Sequence, residues 1–151
     1  MSVRRGVVVA CVCGFPVGVR PAHAMATASA VLASVAPLVA RAAADSAEGV
    51  SWHVRGFGNV LGEAMEFHFC VSFPACGLER SVLVAGRIAE AAREVARGRC
   101  QFGVGIAAGA RGEGMVGTTV RWLVPFGAVF GAACVYALHA VAVGVPVLTD
   151  I

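Results

Sequence analysis

The stretch RWLVPFGAVFGAACVYALHAVAVGVPVL, from Arg121 to Leu148, decides how the whole chain is interpreted. After its opening arginine it contains no side chain that is fully charged at pH 7. As one helix it would extend about 40 Å, more than the roughly 30 Å of hydrocarbon in a bilayer. A soluble core helix of that length, apolar on every side, needs a larger protein around it. The stretch therefore predicts a transmembrane helix over 121–148, with Arg121 and Trp122 at the interface.

The composition favours the same interpretation. Apolar residues make up 58% of the 151-residue chain and charged residues only 14%, whereas an average soluble domain is about a quarter charged. A chain of this length buries only about 70% of its surface when it folds alone. Lipid is therefore the expected solvent for the surplus. The excess positive charge lies before residue 45, and no basic stripe is interleaved with aromatics, which argues against nucleic-acid binding.

The first 44 residues have features of a targeting segment. Arg4 and Arg5 precede an apolar stretch of roughly signal-peptide length, and Ala22-His23-Ala24 fits a small-x-small cleavage site. Residues 1–24 are accordingly interpreted as signal-like or transit-like, and 25–44 as an Ala/Ser-rich apolar helix. Three fates stay open: a cleaved signal, a retained membrane segment and an organelle transit peptide. The expected location is a bacterial inner membrane or an organellar membrane, or a secreted or periplasmic space after cleavage.

The middle of the chain predicts a small α+β unit over 45–98, with two strands and a helix. Val50–Gly58 is rich in β-forming residues, and the stretch that ends at Phe73 alternates with period two. Apolar residues in the following helix recur at spacings of three and four, and Gly98 is a natural stop. Residues 99–120 are rich in glycine and predict a linker. One face of the second strand is expected to be apolar and the other polar: Phe67, Phe69, Val71 and Phe73 against Glu66, His68, Cys70 and Ser72.

Two weak chemical patterns stand out. Gly103, Gly105 and Ala108 match a dinucleotide fingerprint, but the further glycines argue against the helix that it requires, so a linker is favoured. His53, His68 and Cys70 are candidate metal ligands, yet alternate side chains on one strand lie about 7 Å apart and rarely converge on one ion. We therefore predict no metal, cofactor or catalytic residue. The six cysteines are read as buried thiols, with a Cys70–Cys76 or Cys76–Cys100 disulfide only in an oxidising compartment.

Helix–helix contact is the activity that the C-terminal stretch favours. Gly127 and Gly131 have the spacing that lets helices approach closely in lipid. His139 is expected to be neutral there and to bond to a neighbouring helix. These residues predict a homo-oligomer or a partner membrane helix.

The resulting prediction is an α-helical membrane protein with a ββα middle unit and one C-terminal transmembrane helix. Its predicted role is that of an accessory or structural subunit in the lipid bilayer, without catalysis. An exported or organellar protein that binds a ligand or partner is the first alternative. An enzyme that uses a nucleotide through the glycine-rich stretch is the second.

Overall fold

The computed structural model describes residues 2–44, 51–58, 65–74 and 78–150. Each of the first two helices joins two strands that are not neighbours in the sheet. The elements are β1 (Ser2–Phe15), α1 (Pro21–Ala44), β2 (Ser51–Gly58), β3 (Met65–Pro74), α2 (Leu78–Ala96), β4 (Gln101–Val116), β5 (Trp122–Phe126), α3 (Ala128–Val143) and β6 (Val147–Thr149).

The strands form one six-stranded sheet in the order β2-β3-β1-β4-β5, and β6 also pairs with β4. β1 is antiparallel to both of its neighbours, β3 and β4, and β2 is antiparallel to β3. This connectivity, β1-α1-β2-β3-α2-β4 with β3 and β1 in the middle, is the ferredoxin-like split βαβ arrangement. β5 and β6 extend it, with β6 parallel to β4.

Strands β1 and β4 are buried on both faces over much of their length. β1 is buried from Gly6 to Phe15, and its side chains alternate between two hydrophobic clusters. We call the two sides of the sheet the α1–α2 face and the α3 face, after the helices that cover them. Burial on both sides is why β1 reads as a continuous apolar run rather than as an alternating strand. On β1, the α1–α2 face carries Val7, Val9, Cys11, Cys13 and Phe15, and the α3 face carries Val8, Ala10 and Val12.

α1 and α2 each bury one stripe of small and β-branched side chains against the sheet and each other. Pro21 begins α1 at the position where its missing N–H costs least. The buried stripes recur at helical spacing because one face of each helix meets the core. They consist of Ala24, Ala28, Val31, Val35 and Val39 in α1, and of Ala85, Ile88, Ala89, Ala92 and Ala96 in α2.

α3 corrects the prediction of a C-terminal transmembrane helix over 121–148. The stretch is divided into β5, a helix of 16 residues and β6. Gly127 (φ 131°) and Gly144 (φ 74°) bound the helix in backbone conformations that side chains rarely adopt. Pro125 lies in β5 and Pro146 between α3 and β6, so neither is inside a helix. The prediction failed because α3 needs to bury only one stripe, Val129, Ala133, Ala137 and Ala140.

The other segments predicted from the sequence form strands and helices of this fold. Residues 1–24, expected as a targeting segment, contain the central strand β1 and the start of α1. Most of 25–44 lies in α1, and 45–98 contains β2, β3 and α2. The expected linker 99–120 is mostly β4, because strand pairing with β1 fixes its glycines in extended backbone.

Among the described residues, the helical segment Pro21–Arg41 alone has the length and apolar composition needed to cross a membrane. It lies near the N-terminus, and a third of its most apolar window is buried in the fold. α3 is shorter than a span.

Candidate functional site

The glycines of β4 bring α3 close to the sheet. A Cβ on Gly103 would overlap the carbonyl oxygen of Ala137, and one on Gly105 would lie 2.5 Å from the amide nitrogen of Ala137. Both glycines are on the α3 face, in the middle of a strand rather than in a strand-to-helix turn. Ala108 packs on the opposite face. The three residues that match a dinucleotide fingerprint therefore do not form one surface. The two glycines instead make room for the backbone of α3.

The polar side of β3 faces α3, and its side chains are largely buried. His68 Nε2 lies 3.0 Å from Oε2 of Glu66, and Cys70 Sγ lies 3.7 Å from Cys134 Sγ of α3. Ser72 is fully buried, and its hydroxyl has no hydrogen-bond partner among the described residues. Cys134 was not singled out in the sequence, because only the packing of α3 on the sheet brings it to Cys70.

The candidate metal ligands do not assemble into a site. His53 is directly opposite Cys70 in the β2–β3 register, but its side chain lies outside what the structure describes. His68 pairs with Glu66, and Cys70 contacts Cys134. Within the described ranges, no group of three or more His, Cys, Asp or Glu side chains is placed to hold a metal ion.

A buried arginine lies at the end of the α3 face. Arg111 of β4 is only 9% exposed, and its side chain crosses Gly6, where a Cβ would lie 2.7 Å from its Nε. That Nε has no hydrogen-bond partner in the described part of the chain. The carboxylate of Glu113 lies 3.8 Å from Nη1. Buried charges are normally paired, so the positive charge of Arg111 is incompletely compensated.

The N-terminus of α3 rests on the backbone beside Arg111. A Cβ on Gly127 would lie 2.6 Å from the carbonyl oxygen of Ala110 and 3.4 Å from the Cα of Arg111. No side chain caps this helix end, and its first turn contains no acid. The positive end of the helix dipole and the Arg111 guanidinium therefore share one end of the sheet. The sequence signal for this arrangement was the single arginine among the glycines of β4.

The thiols of the opposite face differ in acidity. Burial raises the pKa of the Cys11 thiol well above its ordinary value. A hydrogen bond with Cys100 and burial raise the pKa of Cys13, whereas the hydrogen bond with Cys13 lowers the pKa of Cys100 despite burial. Cys100 is therefore the thiol of this pair that forms a thiolate more readily.

An apolar surface is left exposed around the β4–β5 hairpin. Trp122 is 67% exposed, and five other large apolar side chains surround the same turn. We call this the hairpin surface; its residues are Met115, Val116, Val120, Trp122, Val124 and Phe126. The outward side of α3 adds Val135, Leu138 and Val143, all exposed. A patch of this kind typically marks an interaction surface.

The residues that the sequence predicted for helix–helix contact lie at different places around α3. Gly127 precedes α3 and lies against β4. A Cβ on Gly131 would have no neighbour within 4 Å, and His139 is exposed.

The fold is similar to that of nucleotide cyclase domains. A bacterial light-regulated adenylyl cyclase matches with a TM-score of 0.60 at 9% identity, over 99% of this chain and 77% of that one. The guanylate cyclase domain of RhGC from Catenaria anguillulae, in complex with GTP, matches with 0.53 at 14% identity, over 91% and 75%. The catalytic core of a rhodopsin-guanylyl cyclase with converted specificity, in complex with ATPαS, matches with 0.52 at 13%, over 91% and 73%.

At these identities the likeness establishes the fold alone. No protein-family model matches the chain, and neither does any curated protein. The chain has an α+β fold of the cyclase type. The prediction of an α-helical membrane protein that acts as an accessory or structural subunit is therefore wrong.

Proposed function

We propose that this chain is a nucleotide-binding domain of the cyclase fold that binds the phosphates of a purine nucleotide without cyclising it. The observation that carries the proposal is the likeness to an adenylyl cyclase over 99% of the chain. Two further cyclase structures of this fold hold GTP and ATPαS. Purine nucleoside triphosphates are therefore the ligand class to test first.

The end of the α3 face supplies the chemistry that a phosphate group requires. Arg111 is nine-tenths buried and its Nε has no hydrogen-bond partner among the described residues, and the uncapped N-terminus of α3 lies beside it. Guanidinium groups and helix N-termini are both favourable partners for phosphate oxygens. A bound phosphate would compensate the charge that Glu113, at 3.8 Å, compensates only in part.

The described residues do not fit a catalytic metal site. Phosphoryl-transfer enzymes hold magnesium ions through carboxylate oxygens. The described chain contains no cluster of acids, histidines and cysteines that could hold an ion. We therefore derive no catalytic step and limit the proposed activity to binding.

A titration with fluorescently labelled GTP and ATP tests the proposal. Because one lost charge-assisted phosphate contact corresponds to about a tenfold change in Kd or more, Arg111→Met should weaken binding by at least that factor. Arg93→Met, on the exposed side of α2, should leave binding unchanged. An absence of saturable binding at millimolar nucleotide, or equal affinities of the two variants, contradicts the proposal. Cyclic nucleotide formation by the wild-type chain would contradict its non-catalytic part.

The exposed apolar surface favours a second function, the pairing of two cyclase-fold domains. α3 is apolar all round, but only one of its sides is buried, and helices of that composition are normally covered on every side. The hairpin surface is a second exposed apolar patch, at the edge of the sheet. We propose that a second copy of the chain covers both.

Sedimentation equilibrium tests the pairing. Trp122→Glu should convert a dimer into a monomer, because it places a charge in the apolar contact. Val17→Glu is the matched control: Val17 is 68% exposed and follows the end of β1 that pairs with Gln101, remote from the hairpin. A wild-type chain that is monomeric at 100 µM, or a Trp122→Glu dimer as strong as that of wild type, contradicts the pairing; the concentration is on the order of that needed to populate weak dimers.

A further inference from the structure

We propose that Cys70 and Cys134 are a dithiol that a low-molecular-weight disulfide oxidises to an internal disulfide, which covalently joins β3 to α3. The two sulfurs are 3.7 Å apart, and the two cysteines are 64 positions apart in the sequence. Disulfide formation requires them to approach to about 2.05 Å. The two sulfurs are already in contact before the bond forms.

The surroundings give the two thiols different roles. Cys70 is 5% exposed and lies on the α3 face of β3, opposite Ala10. Cys134 is partly buried, on the helix whose other sides face outward. Cys134 is therefore the sulfur that an incoming disulfide reaches first, and Cys70 is the buried sulfur that resolves the mixed disulfide.

The oxidation balances as two thiol–disulfide exchanges. The Cys134 thiolate attacks one sulfur of the small disulfide, for example oxidised glutathione, and one small thiolate leaves. Cys70 then loses its proton and attacks the Cys134 sulfur, and a second small thiolate leaves. Two protein thiols are oxidised to one disulfide, and one small disulfide is reduced to two thiols, which carry the two protons.

The pair differs from the other thiols in what it would join. Cys13 and Cys100 lie on the α1–α2 side, with Cys13 fully buried. A bond between Cys70 and Cys134 would fix α3 to a strand other than β4, its main support. It would thereby keep α3 in place even when the glycine contacts with β4 loosen.

Peptide mapping after oxidation tests this inference without relying on nucleotide binding. In a Cys76→Ser background, trypsin yields one peptide over 56–80 with Cys70 alone and one over 122–151 with Cys134 alone. After incubation with oxidised glutathione, we expect these two peptides to be linked, with the loss of two hydrogens. Treatment with a reducing agent should separate them.

Cys134→Ser should abolish the linked peptide, and Cys100→Ala should retain it. We also expect the linked protein to unfold at a Tm about 10 °C higher than the reduced protein, because the bond closes a loop of more than 60 residues. Persistence of both thiols in reduced form after oxidation, or linkage of Cys70 only to other cysteines, overturns the inference. The linked peptide and the Tm shift are both measured in the Cys76→Ser chain, so neither readout depends on the folding of the Cys134→Ser or Cys100→Ala variant.

Discussion

Gly105 of β4 lies directly beneath Ala133 of α3, so that a Cβ on Gly105 would overlap the carbonyl oxygen of Ala133. The same Cβ would lie 2.5 Å from the amide nitrogen of Ala137, one turn further along. Because the two nearest atoms belong to the backbone of α3, no flexible side chain can move aside to make room. The distance between α3 and the sheet is therefore set by the absence of a side chain at position 105.

Gly105→Val should destabilise the domain strongly. The new side chain must displace the backbone of α3, and overpacking of this kind costs about 3 kcal/mol or more. Urea unfolding followed by circular dichroism measures the change as a lower midpoint. An unchanged midpoint would mean that α3 does not pack on β4 as the structure shows.

Gly131→Ala is the matched control for a glycine that meets nothing. A Cβ at this position has open space around it, and it lies inside α3. Because alanine has a higher helix propensity than glycine, the substitution should stabilise the monomer, measured in the Trp122→Glu background, by about 0.5–1 kcal/mol. Destabilisation of that monomer instead would indicate that the outward side of α3 is packed within the domain.

Ile88→Ala in α2 should cost about 3 kcal/mol of unfolding free energy. Ile88 is 0% exposed, among the buried side chains between α2 and the sheet, and truncation leaves a cavity as well as losing apolar contact. Chemical denaturation provides the measurement. Leu83→Ala, at a position of the same helix that is 56% exposed, should change the same free energy by less than about 0.5 kcal/mol.

The amphipathic part of the fold follows from sequence pattern. In α2 one side is apolar, with Ala85, Ala89 and Ala92 at helical spacing, and in β3 Phe69 and Phe73 alternate with polar residues. Each of these elements has a solvated or polar side, so the period of its pattern identifies it. The Phe69 and Phe73 side chains belong to the same core cluster as the buried stripe of α2.

The central part of the fold does not follow from such a pattern. β1 is covered on both faces and β4 is rich in glycine, so neither alternates. α3 has no polar side, which makes it resemble a membrane span although Gly127 and Gly144 limit it to 16 residues. The proposed phosphate site depends on Arg111 meeting the end of α3. Their proximity follows from the order of the strands in the sheet and not from the local sequence.

Cys100 should react with iodoacetamide at a lower pH than an ordinary thiol. The hydrogen bond with Cys13 lowers the pKa of Cys100, so its thiolate is present at pH values where a free thiol is still protonated. Cys13→Ala removes that hydrogen bond and should move the reactivity of Cys100 to higher pH. Alkylation rates read by peptide mass spectrometry distinguish Cys100 from the other thiols. Identical pH profiles in wild type and Cys13→Ala would contradict the pairing.

The titration of Tyr136 should report a contact that connects α3 to residue 150. The Tyr136 hydroxyl donates to Oδ2 of Asp150 at 3.3 Å, and the negative charge of Asp150 raises the pKa of Tyr136. Ionised tyrosine would face a carboxylate, so the neutral form is favoured and deprotonation requires a higher pH. The shift should therefore disappear when the charge is removed.

Asp150→Asn should lower the pKa of Tyr136 towards its ordinary value of about 10. The chain contains one tyrosine, so the rise of tyrosinate absorbance with pH reports this residue alone. Glu113→Gln removes a carboxylate that pairs with Arg111 instead and should leave the titration of Tyr136 unchanged. If Asp150→Asn and wild type titrate together, then the end of the chain beyond β6 does not lie against α3 in solution.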